Sequence, residues 1–272
     1  MAVATPPIEP VRYGVLGGSG FYSFLEDVEQ VEVETPYGAP SGPVAVGTVE
    51  GRRVAFIPRH GLHHQFPPHQ VPYRANLWAL RSVGVERVFG PCAAGSLQPH
   101  VRPGEFVVCD QLVDRTSGRP STFYDGPETT HVSFADPYCP TMRATAIERA
   151  REGGLPLHDR GTVVTVQGPR FSTRAESRFF AAQGWEVINM TQHPEAILAR
   201  ELEMCYANIS MITDYDVGVE GEIEPVSHEE VIRVFDENIA KLRGLLFAAI
   251  AALPEERDCA CAHALEGARF EV

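Results

Sequence analysis

Apolar residues in this chain fall into short runs that stop abruptly at small polar or acidic residues. That pattern predicts buried strands delivering side chains at their exposed ends. Residues 186–190 and 206–212 are the clearest cases. The first run leads into Asn189, Met190, Thr191 and Gln192, then into a helix over 194–202 with Pro194 in its first turn. A strand-to-helix junction of this kind exposes backbone N–H groups and the helix dipole, which favour an anion. The second run ends at Thr213, Asp214, Tyr215 and Asp216, and period-two geometry points both carboxylates the same way. On spacing alone these aspartates equally fit loop-opening or helix-capping roles.

The same reading applied to the rest of the chain predicts a strand over 13–16 running into Gly17, Gly18, Ser19 and Gly20. Glycines there let backbone amides approach a ligand, and Ser19 adds a hydroxyl, although the third glycine of the dinucleotide fingerprint is missing. Alternation over 31–34, 44–47 and 54–57 predicts antiparallel strands, the last ending in Pro58, Arg59 and His60. Arg59 can fork onto a phosphate and His60 can add a donor. Helices are predicted over 73–83, 141–152, 173–183 (with Ser172 as cap) and 228 to about 253, the last opened by a Ser227/Glu230 capping box. Small residues over 91–97, including Cys92 and Ala93, read as a close-packed turn or a ligand-facing backbone. Residues 110–140 form a long irregular excursion whose aromatic residues suggest an ordered lid or a subunit contact.

Composition narrows the function. A chain of 272 residues with 44% hydrophobic and 22% charged positions fits one large globular domain, here residues 13–253 with tails at 1–12 and 254–272. A net charge of −13 argues against nucleic acid or anionic membranes as partners and favours small substrates. No run is long enough to span a bilayer and no signal peptide is evident, which leads to the expectation of a cytoplasmic protein. Cys92, Cys109, Cys139 and Cys205 read as buried reduced thiols. Cys259 and Cys261 with His263 supply too few ligands for zinc, so a frayed end is expected there. His63, His64 and His69 lack a carboxylate or cysteine at ligand spacing, and no metal site is expected.

Taken together and in order, several segments resemble the methylthioadenosine phosphorylase branch of the trimeric purine nucleoside phosphorylases. They are Gly17-Gly18-Ser19-Gly20, Pro58-Arg59-His60-Gly61, Ala94-Gly95-Ser96-Leu97, Gly168-Pro169-Arg170-Phe171, Ile188-Asn189-Met190-Thr191 and Thr213-Asp214-Tyr215-Asp216. The resemblance, running from about Tyr13 to Leu253, implies an α/β domain with a mixed twisted sheet partly closed into a barrel and surrounded by helices, assembled as a homotrimer. It also implies phosphorolysis of purine nucleosides with inorganic phosphate as co-substrate and no cofactor. By similarity Ser19, Arg59, His60, Cys92, Ala93 and Thr191 hold phosphate. Phe171 and Met190 pack on base and ribose, Asn189 and Asp216 contact the substrate, and Asp214 is the proton-handling carboxyl. The family usually has Thr at Cys92, so a weaker contact is expected. Asp214 in place of the Asn of 6-oxopurine enzymes implies 6-aminopurine substrates, with methylthioadenosine first. His228, by contrast, matches the residue that contacts a 5′-hydroxyl in general purine nucleoside phosphorylases, which keeps adenosine or inosine as the alternative. His131 matches a residue that reaches a neighbouring subunit's sugar site. A nucleoside-binding protein without turnover is the third reading.

Overall fold

The computed structural model describes residues 9–18, 28–217 and 227–269. Ser19 therefore lies outside the described residues, and of His228 and Glu230 only the backbone is described. The described strands form two mixed sheets. The first has the order β12-β5-β1-β4-β3-β2, built from β1 (Tyr13–Gly17), β2 (Glu29–Val31), β3 (Val44–Val49), β4 (Arg52–Pro58), β5 (Arg87–Phe89) and β12 (Cys205–Ala207). The second has the order β8-β10-β11-β6-β13-β7-β9. Its strands are β6 (Cys92–Ser96), β7 (Phe106–Val107), β8 (Gln111–Arg115), β9 (Leu157–His158), β10 (Thr162–Val166), β11 (Val187–Asn189) and β13 (Ser210–Asp214).

The sheets are joined through one bent pair of strands. β5 and β12 run parallel in the first sheet, and β6 and β13, their direct continuations, run parallel in the second. The bend falls at Gly90-Pro91 and Asn208-Ile209. Proline has no backbone donor there, and the Asn208 amide closes the gap by donating to the Gly90 carbonyl at 2.8 Å. Backbone bonds from Gly90 to Ala207 (2.9 Å) and from Cys92 to Ile209 (3.2 Å) carry the pairing through the break. Arg59, Cys92 and Asn189 lie at or beside strand ends near this junction, and Asp214 closes the far end of β13.

Among the described residues five α-helices accompany the sheets: α1 (Tyr73–Ser82), α2 (Pro140–Glu152), α3 (Arg174–Ala182), α4 (Gln192–Glu201) and α5 (His228–Ala252). Two large cores result. One gathers α1 and α4 on the first sheet, and the other packs α2 and α5 against Phe106, Met211 and Ile209. α1 is buried on nearly every side rather than along one stripe, with only Arg74 and Arg81 outside its buried set. Leu77, Ala79 and Leu80 of α1 are fully buried, as are Leu242, Leu246, Ala249 and Ile250 of α5.

Several expectations need correction. The small-residue run 91–97 contains a strand, β6, between β11 and β13, because alanine and glycine let neighbouring strands and side chains close on it. Within the excursion 110–140, β8 pairs in parallel with β10. Its sequence, Gln-Leu-Val-Asp-Arg, is half exposed at a sheet edge and so carries little apolar signal. The cap of α3 is Thr173, in a reciprocal box with Glu176. Ser172 is turned toward Asp216 instead.

The end of the chain is not frayed where it is described. Residues 260–263 form a 3-10 turn, Cys259 and Cys261 are buried in the second core, and Arg257 donates to the Glu203 carbonyl at 2.6 Å. Farther along, Thr130 and Arg269 form an antiparallel bridge, and the His131 amide donates to the Ala268 carbonyl at 2.8 Å. The tail thus ties down the long excursion. That excursion is also held by α4: Arg200 donates to the carbonyls of Ser133 (2.9 Å) and Asp136 (2.7 Å), and Glu201 accepts from the Phe123 amide at 2.7 Å.

Candidate active site

The strand ends around the bend open into one cavity of about 690 Å³. Arg59, His60, Cys92, Ala93, Asn189, Met190, Thr191, Asp214, Asp216 and Phe171 all line it. The residues proposed for the anion and the carboxylates proposed for the base therefore share a single space. His131 is exposed and is not among the lining residues.

Arg59 is the most deeply set cation, 1% exposed. Its fork is not free for a phosphate. Nε and Nη2 both donate to Glu195, the latter at 3.0 Å, and Nη1 donates to the Pro91 carbonyl at 3.1 Å. Burial opposes the charge, but the Glu195 carboxylate more than compensates and holds the guanidinium firmly protonated. The Tyr206 hydroxyl donates at 2.7 Å to Glu195 Oε2, the same oxygen that accepts from Nη2. Of the five guanidinium N–H groups, those not spent on Glu195 and Pro91 form the edge that can meet an anion. A Cβ on Gly18 would stand 3.0 Å from Nη1, so glycine permits the close approach of this loop. Glu195 escapes sequence reasoning because a buried glutamate in a helix looks like any other; its one signal is an acid inside the apolar run of α4.

His60 differs from expectation in its hydrogen-bonding sense. Its Nδ1 lies 2.8 Å from the Phe66 carbonyl, which can only accept, so Nδ1 carries the proton. Burial, reinforced by the nearby Arg59 charge, drops the ring's pKa to about 3. A neutral ring of this tautomer offers an acceptor at Nε2, suited to the hydroxyl of a monoprotonated phosphate rather than to its bare oxygens. The His64 ring stacks on it at 4.5 Å.

Thr191 caps α4 without a side-chain bond to the helix. Its Oγ1 is buried with no hydrogen-bond partner among the described residues, which leaves a donor there, whereas the Thr191 and Gln192 amides turn toward Asn189 Oδ1 at 3.4 and 3.5 Å. Such an unsatisfied buried hydroxyl fits an oxyanion. Cys92, expected to touch the ligand weakly, lines the cavity and also orders its neighbours. Its sulfur accepts from the amides of Asn189 (3.3 Å) and Asn208 (3.4 Å). It thereby fixes Asn189, whose Oδ1 accepts from Thr165 at 3.1 Å.

At the opposite pole, β13 ends at Asp214. The chain then turns, and Asp216 adopts φ of 46°, so the two carboxylates are not related by strand periodicity. Asp214 accepts from the Thr213 hydroxyl (2.7 Å) and from the Asp216 amide (2.8 Å). Asp216, 3% exposed, is held by Ser172 and Ser177. Burial raises its pKa above the usual carboxylate range, although both serines work in the other direction. Ser172 and Ser177 are second residues that sequence reasoning misses, since serines at a helix start read as caps. Gly95 faces this pair: a Cβ there would lie 2.9 Å from Ile188 and 3.0 Å from Asp214 Oδ1.

Met190 lies between the two poles, against Gly168, where any Cβ would come within 2.6 Å of the methionine sulfur. Phe171, 41% exposed, stands at the mouth. α5 closes a further side with Val231, Ile232 and Phe235, an apolar wall one turn beyond His228.

An α/β fold of two joined mixed sheets, with a buried arginine, a buried threonine hydroxyl and paired carboxylates in one cavity, defines a nucleoside phosphorylase fold. The chain belongs to the phosphorylase superfamily, which it matches over residues 12–251. It is 59% identical to the purine nucleoside phosphorylase of Streptomyces coelicolor, covering 93% of this chain and 94% of that one. It is 56% identical to the S-methyl-5′-thioadenosine phosphorylase of Pyrococcus horikoshii, covering 94% and 98% respectively. Among solved structures, methylthioadenosine phosphorylase from Schistosoma mansoni in complex with adenine superposes with a TM-score of 0.90 at 35% identity, covering 95% of this chain and 99% of that one. A variant of the adenosine/methylthioadenosine phosphorylase from the same organism, in complex with methylthioadenosine, gives a TM-score of 0.88 at 34% identity, covering 95% and 98%.

Proposed function

We propose that this chain cleaves the N-glycosidic bond of 6-aminopurine nucleosides with phosphate, methylthioadenosine first, giving adenine and 5-methylthioribose 1-phosphate. The observation that carries the reading is the single cavity with an anion-accepting end at Arg59 and Thr191, a carboxylate end at Asp214 and Asp216, and an apolar flank from α5. Names of relatives point the same way, since Pyrococcus horikoshii and Mycobacterium tuberculosis contribute methylthioadenosine phosphorylases 56% and 55% identical to it.

In this reaction a phosphate oxygen forms a bond to the anomeric carbon as the bond from that carbon to the purine nitrogen breaks. The electron pair leaves with the base. Positive charge builds on the ribose in the transition state, and phosphate beside it is stabilising. Arg59 and the Thr191 hydroxyl hold the phosphate, with Ser19 joining them by family likeness, while His60 Nε2 takes its P–OH. Asp214 in its acid form gives its proton to the five-membered-ring nitrogen of the departing purine and regains one from solvent after the base leaves. Asp216 receives the exocyclic amino group or orients Asp214 through its backbone amide, which already donates to Asp214. Neither a metal nor an organic cofactor takes part in this scheme.

A second reading, a purine nucleoside phosphorylase for 5′-hydroxyl substrates, rests on the Streptomyces coelicolor relative and on His228 at the start of α5. Val231, Ile232 and Phe235 favour the thioether, because apolar side chains gain from a methylthio group, while among the described side chains of the same helix Asp236 is the one lining the cavity that could accept from a 5′-hydroxyl. Methylthioadenosine, adenosine and inosine, each incubated with and without phosphate, separate the readings. The expected outcome is phosphate-dependent adenine release, fastest from methylthioadenosine. Inosine as the best substrate would favour the second reading, and an absence of phosphate-dependent base release would leave only a binding role. We further propose a trimer in which His131, outside its own cavity, reaches the sugar site of a neighbouring copy.

A further inference from the structure

Away from the cavity, four cysteine sulfurs converge on one point. Cys139 precedes α2, Cys205 opens β12, Cys259 caps the 3-10 turn over 260–263, and Cys261 lies within that turn. All four sulfurs lie within 4.8 Å of one another. Cys259 Sγ stands 3.3 Å from Cys205 Sγ and 3.8 Å from Cys139 Sγ, so it faces both core thiols rather than pairing with one. Four sulfurs around one zinc ion at a bond length of about 2.3 Å sit about 3.8 Å apart at tetrahedral corners, close to this arrangement.

The surroundings favour a closed structural centre. Relative exposures of 0% for Cys139, 1% for Cys205, 9% for Cys259 and 2% for Cys261 leave no open coordination position to solvent. The segment leading into the turn that brings in the last two thiols is fixed on both sides of Pro254: Arg52 donates to the Leu253 carbonyl at 2.7 Å, Arg87 to the Glu256 carbonyl at 2.7 Å, and Arg257 to the Glu203 carbonyl at 2.6 Å. Those backbone anchors set the position of the Cys-x-Cys turn over Cys139 and Cys205 before any sulfur contact is considered.

We propose that Cys139, Cys205, Cys259 and Cys261 bind one structural zinc ion that fastens the C-terminal segment to the core. A tetrahedral set of four sulfurs selects zinc over harder cations, and a full protein shell marks a structural rather than a catalytic ion. Binding releases the four thiol protons to solvent and involves no change of oxidation state. Because the same segment bonds to His131 and Thr130, the metal also steadies the excursion that carries His131.

The full-length chain, purified without chelator from zinc-supplemented medium, is expected to hold about one zinc per chain by elemental analysis. Cys205→Ser and Cys261→Ser should each lower this below about a tenth, while Cys109→Ser, outside the cluster, should retain it. Should the serine variants fail to fold, the wild-type chain still reports. A mercurial reagent should release about one equivalent of zinc to a colorimetric chelator, and hydrogen exchange at the His131 amide should rise. Zinc below about a tenth per wild-type chain overturns the proposal; intact mass, lower by about 2 Da per disulfide, then tells paired thiols from reduced ones. Iron in place of zinc, or zinc retained by both serine variants, overturns it as well.

Discussion

Replacing Asp214 with Asn keeps the shape of the carboxyl while removing its ability to pass a proton. If Asp214 handles the proton of the leaving purine, kcat should fall by about 10²- to 10⁴-fold with an unchanged melting temperature. Steady-state kinetics with methylthioadenosine, alongside a thermal melt, checks both halves. His60 makes a different prediction. Its pKa of about 3 in the folded chain lies below the ordinary 6.5, so the unfolded chain binds the extra proton between those values. The contribution is complete above 6.5 and is lost as pH falls toward 3, at about 1.4 kcal/mol per pH unit for one proton. Urea unfolding across that window should therefore show a shallower slope for His60→Gln than for the wild-type chain. An identical slope would mean that the imidazole is not shielded as its burial and the Phe66 contact imply. At this scale the sequence pattern places Arg59, Asn189, Met190, Thr191, Asp214 and Asp216 at or just past strand ends, and the family resemblance gathers them into one site; all six line the cavity. The pattern does not reveal Glu195, Ser172 or Ser177, whose roles depend on partners many residues away. Nor can the sense of the His60 hydrogen bond be read from the string of residues, since the Phe66 carbonyl decides it.

Elements rather than single residues bring the two poles of the cavity together. β6 is the strand on which this depends, since it lies between β11, which ends at Asn189, and β13, which ends at Asp214. Gly95 lets Ile188 and Asp214 close on it from both sides. Gly95→Ala should cost about 1–3 kcal/mol by overpacking and reduce kcat by displacing Asp214. A melt and a rate measured on the same preparation would show both effects; a stable, fully active variant would refute the close approach. Amphipathic helices and the longer strands are legible because their apolar residues follow one period. β6 and β8 are not, because the first is made of small residues and the second is half exposed at an edge. The bend between β5 and β6 has only Gly90-Pro91 as a local cue, and its seal by Asn208 joins positions 118 apart in the chain.

At the scale of the whole molecule, composition fixes only broad limits. The chain has the size of one large domain, and among the described residues no helix is long and apolar enough to cross a membrane. Assembly is a prediction. Native mass spectrometry should give three times the 29.8 kDa chain mass, and His131→Ala should raise the KM for the nucleoside more than it lowers kcat. A monomer with full activity would remove the proposed contribution of a neighbouring copy. The frayed end expected from the sequence illustrates why distant packing is hard to read. Cys259 and Cys261 look isolated in the string, yet their partners Cys139 and Cys205 arrive from two other elements.

The bridge between Thr130 and Arg269 also bears on how the protein should be handled at the bench. A purification handle or fluorescent fusion appended after Val272 would begin only a few residues past that pairing and would tug on the loop bearing His131. Rates measured on such a fusion would mix catalysis with the disturbance of that loop, whereas a handle at the opposite terminus leaves the pairing alone.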